Sequence, residues 1–253
     1  MRLIRFRLGE RIATGVLDEE DVVHPLVGTF FERPVPTDEE IPVAEVRLLA
    51  PVIPSKVIAV GKNYPEHAAE FGGEVPEEPL IFMKPSTSVI GPGDQIPIPD
   101  WAGRIDYEGE LGLVVGRLCR QVAPEDAMKF VLGSTCGNDV TARELQAKDG
   151  QWTRAKGFDG FCPLGPWIET EVEASDLELT TRLNDEVVQK ARTSDMAFSP
   201  AGLVAHVSRV MTLLPGDVIL TGTPAGIGSL SNGDRVEVQI EGIGTLANEA
   251  LLA

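Results

Sequence analysis

The stretch IDYEGELGLVV, residues 105–115, has the pattern of an apolar β-strand, yet it carries two glutamates one glycine apart. Side chains alternate between the faces of a strand, so Asp106, Glu108 and Glu110 are predicted to share one face and Leu111 to lie on the other. Same-face neighbours are about 6.5–7 Å apart, and two carboxylates at that distance repel each other where water is scarce. Either the face is solvated, or the pair shares a proton for acid–base work, or both glutamates bind one hard cation.

The composition indicates a globular protein with a strong excess of acidic residues. Its 253 residues fit one large domain, or a large domain with a small appendage. Lys and Arg total 22 against 39 Asp and Glu, a net charge of −17, which argues against nucleic acid or an anionic membrane as a partner. Three widely spaced cysteines predict reduced thiols, with neither a disulfide framework nor a zinc site.

Neither a membrane span nor an export signal is visible in the sequence. No segment reaches the roughly 18 apolar residues that a spanning helix needs, and the N-terminal residues alternate between charged and apolar, unlike a signal peptide. We therefore predict a cytoplasmic protein with neither a membrane nor a nucleic acid as its partner.

The chain is predicted to divide near residue 50. Three short alternating runs read as a β-meander: 2–8, 11–17 and 21–27. Five prolines between residues 34 and 54 then exclude a continuous helix. Residues 1–50 are therefore interpreted as a small N-terminal β-rich subdomain, and residues 51–253 as the main domain.

The main domain reads as many short strands with a few helices. The predicted strands are 56–60, 80–84, 105–116, 165–172, 177–183, 186–191, 217–222 and 235–241. The predicted helices are 123–133, a second beginning near Asn138, and 199–214 with Ser199 as its cap. Because strands and helices do not alternate regularly, we expect a β-rich α+β fold rather than a Rossmann fold or a TIM barrel.

Several polar residues could carry chemistry, although each also has a purely structural interpretation. On the helix expected from Asn138, the spacing places Asp139, Arg143 and Gln146 on one face, where they could equally be a helix cap and its salt-bridge partners. His67 and Glu70 are three apart, and a carboxylate beside an imidazole makes a better general base.

Two further segments are equally ambiguous. Lys156 lies in the glycine- and aromatic-rich segment WTRAKGFDGFCPLGP, where it needs either an anionic partner or a path to solvent. The segment TGTPAGIG, residues 221–228, contains Thr223 and could bind a carboxylate through its backbone amides, or could simply be a tight turn.

Taken together, six segments resemble the fumarylacetoacetate hydrolase family. They are GKNYPEHAAE, FMKPSTSVIGPGD, DYEGELGLVVG, GNDVTARELQ, WTRAKGFDGFCPLGP and TGTPAGIG, in the order and spacing typical of that family. The resemblance covers roughly residues 50–250. It implies a mixed β-sandwich or roll as the catalytic domain, with the N-terminal β appendage found in bacterial acylpyruvases and 2-hydroxyhepta-2,4-diene-1,7-dioate isomerases.

The resemblance also implies a metal and roles for the polar residues. Mg²⁺ or Mn²⁺ would be bound by Glu108, Glu110 and Asp139, which would explain the paired glutamates of the buried strand. Substrate would be contacted by Arg143, Gln146 and Thr223, and the catalytic residues would be His67, Glu70 and Lys156. His67 with Glu70 would activate water, and Lys156 would stabilise negative charge.

The family's shared motifs leave the reaction open. Hydrolysis of the C–C bond of an acylpyruvate, through a metal-stabilised enolate, is the first choice because the His67–Glu70 pair is complete. The alternatives are isomerisation of a hydroxy-diene dioate, decarboxylation of 5-oxopent-3-ene-1,2,5-tricarboxylate or of oxaloacetate, and metal-dependent binding of a dicarboxylate without catalysis. Every alternative predicts a small 2-oxo acid or dicarboxylate as ligand, and the resemblance implies a homodimer.

Overall fold

A computed structural model describes residues 1–32, 34–70 and 72–253. The first three strands confirm the predicted meander: β1 (Arg2–Leu8), β2 (Arg11–Leu17) and β3 (Val22–Val27). Three shorter strands follow in the proline-containing segment: β4 (Val35–Pro36), β5 (Ile41–Pro42) and β6 (Arg47–Leu49). Strand β1 pairs antiparallel with β15 (Cys162–Glu169), so the meander continues the large sheet of the main domain. The division of the chain at residue 50 stays a prediction.

The rest of the chain contains fourteen further strands and five short α-helices among the described residues. The strands are β7 (Val57–Gly61), β8 (Leu80–Lys84), β9 (Val89–Ile90), β10 (Gln95–Ile98), β11 (Ile105–Tyr107), β12 (Gly109–Val115), β13 (Val131–Asn138), β14 (Thr141–Ala142), β16 (Glu178–Leu183), β17 (Glu186–Arg192), β18 (Val218–Leu220), β19 (Gly228–Ser229), β20 (Arg235–Ile240) and β21 (Gly244–Leu252). The helices are α1 (Pro65–Glu70), α2 (Pro124–Ala127), α3 (Arg143–Asp149), α4 (Thr153–Lys156) and α5 (Pro200–Val210). Single 3₁₀ turns span Val43–Glu45, Ser86–Ser88, Asp100–Ala102, Met128–Phe130 and Thr193–Asp195.

The strands form three sheets. The largest has the order β4-β3-β2-β1-β15-β13-β12-β18-β7-β8, with β5, β6 and β9 paired beside this path. The second has the order β10-β21-β20-β16-β17, and the third consists of β14, β11 and β19. This arrangement confirms the predicted β-rich α+β fold.

The core lies on both faces of β12, whose residues are all buried. Leu111 and Leu113 belong to a cluster with Leu179 of β16 and Leu203 of α5, while Val114 faces a second cluster on the opposite side. Each such leucine contributes about 1.5–3 kcal/mol by leaving water. Burial on both faces explains the continuous apolar run in the sequence of this strand.

The strand predicted over 105–116 is interrupted at Glu108. The two halves join different sheets, because β11 pairs with β14 and β19 whereas β12 pairs with β13 and β18. The side chain of Asn138 accepts a hydrogen bond from the Glu108 N–H at 2.9 Å, and the Glu108 carbonyl accepts one from Asp139 N–H at 2.8 Å. These bonds satisfy the backbone at the point where the strand changes sheets.

The helix expected from Asn138 begins only at Arg143. Thr141 and Ala142 pair with β11 instead, and the Arg143 N–H donates to the Arg104 carbonyl at 2.8 Å. The prediction that Asp139 shares a helix face with Arg143 and Gln146 is therefore wrong, because tertiary pairing overrides the local helical pattern.

Other boundaries differ in the same way. The helix predicted over 123–133 is a single turn, α2, followed by a 3₁₀ turn and β13, and the helix predicted over 199–214 ends at Val210. The Ser199 hydroxyl accepts a hydrogen bond from Gly202 N–H at 3.3 Å, so the predicted cap is confirmed. Strands β10 and β21 were not predicted. Within the described ranges, no helix combines the length and apolar character needed to cross a membrane.

Candidate active site

One cavity of about 350 Å³ gathers the predicted site residues. All of them except Glu70 line its wall, and Glu70 lies behind His67. Its lining comes from separate parts of the chain: Val60, Gly61, Lys62, His67, Phe82, Glu108, Glu110, Asp139, Arg143, Gln146, Ala147, Trp152, Lys156 and Thr223. A volume of this size suits a small metabolite.

Three carboxylates converge in the polar part of the cavity. Glu108 directly precedes β12, Glu110 is the second residue of that strand, and Asp139 directly follows β13, the strand beside it. One oxygen from each of the three lies within 4.8 Å of the others, and their exposed fractions are 4 %, 1 % and 1 %. The solvated face that the sequence allowed for the two glutamates is therefore excluded.

Three cationic side chains contact this cluster. Lys156 Nζ lies 2.9 Å from Glu108 Oε2 and 2.6 Å from Asp139 Oδ2, so it bridges two of the carboxylates. Arg143 Nη2 donates to Glu108 Oε1 at 2.5 Å, and Lys84 Nζ donates to Asp139 Oδ1 at 2.5 Å. The sequence left Lys84 without a firm role, since a lysine at the end of a strand does not show that it is buried against an aspartate.

These contacts set the ionisation of the cluster. Burial alone would raise the pKa of Glu108, but Lys156 and Arg143 outweigh it and hold the pKa below its ordinary value. Burial and the nearby charges of Asp139 and Glu108 raise the pKa of Glu110 well above its ordinary value. The pKa of Lys156 is raised, because Asp139 and Glu108 outweigh the effect of its burial.

The donor set fits a hard divalent cation. Oxygen ligands from three carboxylates are what Mg²⁺ and Mn²⁺ prefer. Within the described residues, Glu110 accepts a hydrogen bond only from Gly222 N–H, at 2.7 Å, and no lysine or arginine pairs with it. A buried carboxylate in that position gains from an added cation, so the three carboxylates could hold a metal.

Arg143 and Gln146 lie on consecutive turns of α3. Arg143 Nη1 donates to Gln146 Oε1 at 2.6 Å, and its Nε donates to Asp106 Oδ2 at 2.9 Å. Asp106 is fully buried and also accepts from Arg104 Nε at 2.6 Å. Asp106 therefore orients the guanidinium of Arg143, which is the role of the third acidic residue in the opening stretch.

His67 and Glu70 form a fixed pair on α1. His67 Nδ1 lies 3.0 Å from Glu70 Oε2, and Glu70 Oε1 accepts from Gly226 N–H at 2.8 Å. The glycine-rich turn thus holds the carboxylate, and the carboxylate holds the ring. With Nδ1–H donating to Glu70, Nε2 is the basic nitrogen of the imidazole.

A glutamine that the sequence did not single out anchors Thr223. Gln189 Nε2 donates to Thr223 Oγ1 and to the Pro224 carbonyl, both at 2.8 Å, and its Oε1 accepts from Gly109 N–H at 3.0 Å. Thr223 Oγ1 in turn donates to the Gly109 carbonyl at 2.9 Å. Since its proton is used there, the Thr223 hydroxyl would have to rotate before it could donate to a substrate carboxylate.

The remaining wall is apolar and was also not predicted. The rings of Phe82 and Trp152 meet edge to face with centroids 5.1 Å apart, and Val60 lies beside them in the cavity lining. Lys156 Nζ lies 4.9 Å from the centroid of Phe82, a cation–π contact. One ring therefore joins the polar and apolar parts of the cavity.

Two family descriptions match the chain. Residues 56–250 match "Fumarylacetoacetate (FAA) hydrolase C-terminal", and residues 1–51 match "Rv2993c-like, N-terminal". The first match agrees with the resemblance that the six sequence segments indicate.

Similar proteins with functional names include two isomerases and a tautomerase. The solved 5-carboxymethyl-2-hydroxymuconate delta-isomerase from Mycobacterium smegmatis is 49% identical, with a TM-score of 0.94 over the whole of both chains. The solved 2-hydroxyhepta-2,4-diene-1,7-dioate isomerase from Mycobacterium marinum is 46% identical, with a TM-score of 0.92 over 100% of this chain and 98% of that one. The mitochondrial oxaloacetate tautomerase Fahd2a of Rattus norvegicus is 41% identical over 83% of this chain and 71% of its own.

Proposed function

The chain belongs to the fumarylacetoacetate hydrolase family of enzymes. We propose that it catalyses proton transfer at the carbon next to the keto group of a small 2-oxo acid. The reaction would be a tautomerisation or an isomerisation, with Mg²⁺ or Mn²⁺ held by Glu108, Glu110 and Asp139. The observation that supports the proposal is that one cavity is lined both by His67 and by these three carboxylates, with Glu70 hydrogen-bonded to His67 behind the wall. The names of three relatives, two isomerases and a tautomerase, support proton transfer.

In this proposal the polar part of the cavity binds the 2-oxo acid end of the substrate. A bound divalent cation would supply Lewis-acid polarisation of the keto oxygen. Arg143 and Gln146 would orient the substrate carboxylate, and the Lys156 ammonium would stabilise negative charge that develops on oxygen. The raised pKa of Lys156 keeps its ammonium charged for that role.

His67 would carry the proton. Nε2 takes a proton from the carbon beside the keto group, while Glu70 holds Nδ1–H and stabilises the imidazolium that forms. The imidazolium returns the proton to oxygen in a tautomerisation, or to a more distant carbon of the conjugated chain in an isomerisation. An enol substrate loses the proton from its hydroxyl instead and receives one on carbon. No bond other than those to the transferred proton is broken, and the double bonds shift accordingly.

Hydrolysis of an acylpyruvate is the second candidate. The same His67–Glu70 pair could take a proton from water, which would add to the distal carbonyl before the C–C bond breaks to give pyruvate and a second carboxylate. The observation in its favour is that the His67–Glu70 pair, held in place by Gly226 N–H, has the arrangement of a general base that could accept a proton from water as well as from carbon. A cytoplasmic location and a homodimer remain predictions.

The test is a substrate panel assayed with Mg²⁺, with Mn²⁺ and with a chelator. The panel holds the enol form of oxaloacetate, 2-hydroxyhepta-2,4-diene-1,7-dioate and an acylpyruvate. We expect metal-dependent conversion of the first or second compound to exceed cleavage of the third. Faster cleavage of the acylpyruvate would favour the hydrolase instead.

Substitution of His67 tests the catalytic assignment. In His67→Ala we expect kcat to fall by about 10²–10⁴-fold while substrate affinity is retained. The matched control is His24→Ala, since His24 Nε2 also pairs with a carboxylate, Asp18 Oδ2 at 2.8 Å, in the N-terminal meander. If the wild type binds these acids with metal but converts none of them, the protein is a dicarboxylate-binding protein and the enzymatic proposal is wrong.

A further inference from the structure

Lys62 lies in the cavity wall on a strained stretch of backbone. It follows Gly61, and its φ of 57° falls in the left-handed region that residues with a side chain rarely adopt. Asn63 holds this backbone in place, because its side chain donates to the carbonyls of Phe198 and Thr221 and accepts from the Phe198 N–H, all within 3.0 Å. Backbone strain that neighbouring contacts hold in place is concentrated at functional sites.

The ammonium of Lys62 has no anionic partner in the described part of the chain. No carboxylate there lies within 4.0 Å of its Nζ, whereas Lys84 and Lys156 both pair with buried carboxylates. Its side chain is half-buried, and a methyl group added to Gly73 would stand 3.3 Å from Nζ. Among the described lysines and arginines of the cavity lining, Arg143 and Lys156 pair with carboxylates and Lys62 does not, so its ammonium can pair with an anionic group of a ligand.

The cavity wall next to Lys62 is apolar. Val60, Phe82 and Trp152 line it, and Trp152 packs so closely on Gly61 that a methyl group there would stand 2.9 Å from the indole. The carboxylate cluster and its cations form the polar part of the same cavity. A ligand that matches both parts has a polar 2-oxo acid end, an apolar or unsaturated middle, and a second anionic group.

We infer that Lys62 binds the second carboxylate of a 2-oxo dicarboxylate and so makes the site favour dicarboxylates over the matching 2-oxo monocarboxylates. The inference rests on the proposed function, which places the 2-oxo acid end at the carboxylate cluster. The net charge of −17 repels a dianion at long range, so a dicarboxylate needs a local cation for its second carboxylate, and Lys62 in the cavity wall can supply one. A partly shielded ammonium–carboxylate contact favours the dicarboxylate by about tenfold to a hundredfold.

The test compares two substrates that differ in one carboxylate, 2,4-dioxoheptanedioate and 2,4-dioxoheptanoate. The measured quantity is the ratio of their kcat/KM values, dicarboxylate over monocarboxylate, for whichever reaction the substrate panel reveals, keto–enol interconversion or C–C cleavage. It is determined in the wild type, in Lys62→Met and in Lys62→Arg. We expect Lys62→Met to lower the ratio by about tenfold to a hundredfold and Lys62→Arg to keep most of it. Lys190→Met is the matched control, because it makes the same change in net charge at an exposed lysine outside the cavity lining. A ratio that Lys62→Met leaves unchanged would overturn the inference.

Equilibrium binding separates a failure of this inference from a failure of the proposed function. Titration calorimetry with Mg²⁺ present gives the dissociation constants of 2-oxoheptanedioate and 2-oxoheptanoate without any need for turnover. If no 2-oxo acid is converted but Lys62→Met still removes the preference for the dicarboxylate, the proposed reaction is wrong and the role of Lys62 stands. Equal affinities of the wild type for the two acids, or no binding of the dicarboxylate, overturn the role of Lys62 whatever the reaction.

Discussion

Two fully enclosed carboxylates, Asp217 and Glu110, have opposite surroundings. Asp217, just before β18, accepts hydrogen bonds from Ser55 Oγ at 2.6 Å and from the N–H groups of Lys56 and Leu214, and it pairs with the Lys56 ammonium. Glu110 accepts from a single backbone N–H in the described chain, and its closest charged neighbours include two other carboxylates.

The difference separates a structural carboxylate from one that a ligand completes. Where a carboxylate only stabilises the fold, the protein supplies enough donors of its own to offset the cost of burying the charge. Around Glu110 the protein supplies too few hydrogen-bond donors, and this carboxylate lines the cavity. Variants of Asp217 and Glu110 should therefore differ in their effects on stability and metal binding, and variants of Lys156 and Gln189 should affect the reaction or the binding of substrate.

We expect the largest effect on stability from Asp217→Ala. Removing this carboxylate leaves Lys56 and two N–H groups without their acceptor, at a cost of about 3–5 kcal/mol, which lowers Tm by roughly 10 °C for a chain of this size. Activity per folded molecule should persist well below Tm. The control is Asp126→Ala, whose exposed pair with Lys129 should be worth about 0–1 kcal/mol. Equal losses in the two variants, measured by thermal or chemical denaturation, would contradict the structural role.

Lys156→Met should differ from Asp217→Ala by a large loss of activity in the folded protein. Removing the ammonium that bridges Glu108 and Asp139 should lower kcat by about 10²–10³-fold, because charge that develops on substrate oxygen loses its stabilisation. The metal-free variant should also be less stable, since two buried carboxylates lose their shared cation, and added Mg²⁺ should restore part of that stability. Unchanged kcat in steady-state assays would exclude Lys156 from the reaction.

The comparison also shows how far the sequence predicts the site. The motif spacing identified Glu108, Glu110 and Asp139, because that spacing can be recognised in the sequence whatever secondary structure these residues adopt. Their geometry was predicted less well: the break at Glu108 depends on pairing between β11 and β19, and the start of α3 depends on pairing with β11. Contacts with segments far along the chain decide both, and local periodicity does not record them.

Residues that support the site from a distance were missed for the same reason. Gln189 is 34 positions from Thr223 and 80 from Gly109, and nothing in the alternating pattern of β17 distinguishes it. Lys84 is 55 positions from Asp139, and Trp152 meets Phe82 across a similar separation. The apolar strand patterns, by contrast, predicted most of the sheet. Burial of one or both faces of a strand determines the spacing of apolar residues within that strand's own sequence.

Metal binding should depend on Glu110. Mg²⁺ or Mn²⁺ at 100 times its dissociation constant should stabilise the wild type by about 2.7 kcal/mol, and Glu110→Gln should lose most of that gain. The Asp217→Ala variant should keep it, because Asp217 lies outside the cavity lining. Differential scanning fluorimetry across a metal series measures both. Equal metal-induced shifts in the wild type and in Glu110→Gln would show that Glu110 is not a ligand.

The pH dependence of the metal-free protein should carry the signature of Glu110. Its pKa is raised in the folded state, so its contribution to stability is fully present below the ordinary value of 4.5 and is lost as pH rises through the folded value. Glu108 has a lowered pKa and acts in the opposite sense, because its contribution is lost as pH falls below 4.5. In a chelator, Glu110→Gln should therefore gain stability relative to the wild type as pH rises. Denaturation curves at each pH give the unfolding free energies of the variant and the wild type. If their difference stays constant as pH rises, the assignment to Glu110 is wrong.

Gln189→Leu should give the smallest effect and separates positioning from catalysis. The substitution removes the donor to Thr223 and to the Pro224 carbonyl, so the glycine-rich turn loses its anchor to β17. If Thr223 contacts substrate, KM should rise by about tenfold or less, consistent with about 1–1.5 kcal/mol, while kcat changes little. Gln239→Leu is the control, because Gln239 accepts a hydrogen bond from Arg182 on the exposed surface at 2.7 Å. A fall in kcat with unchanged KM would instead place Gln189 with the groups that act in the transition state.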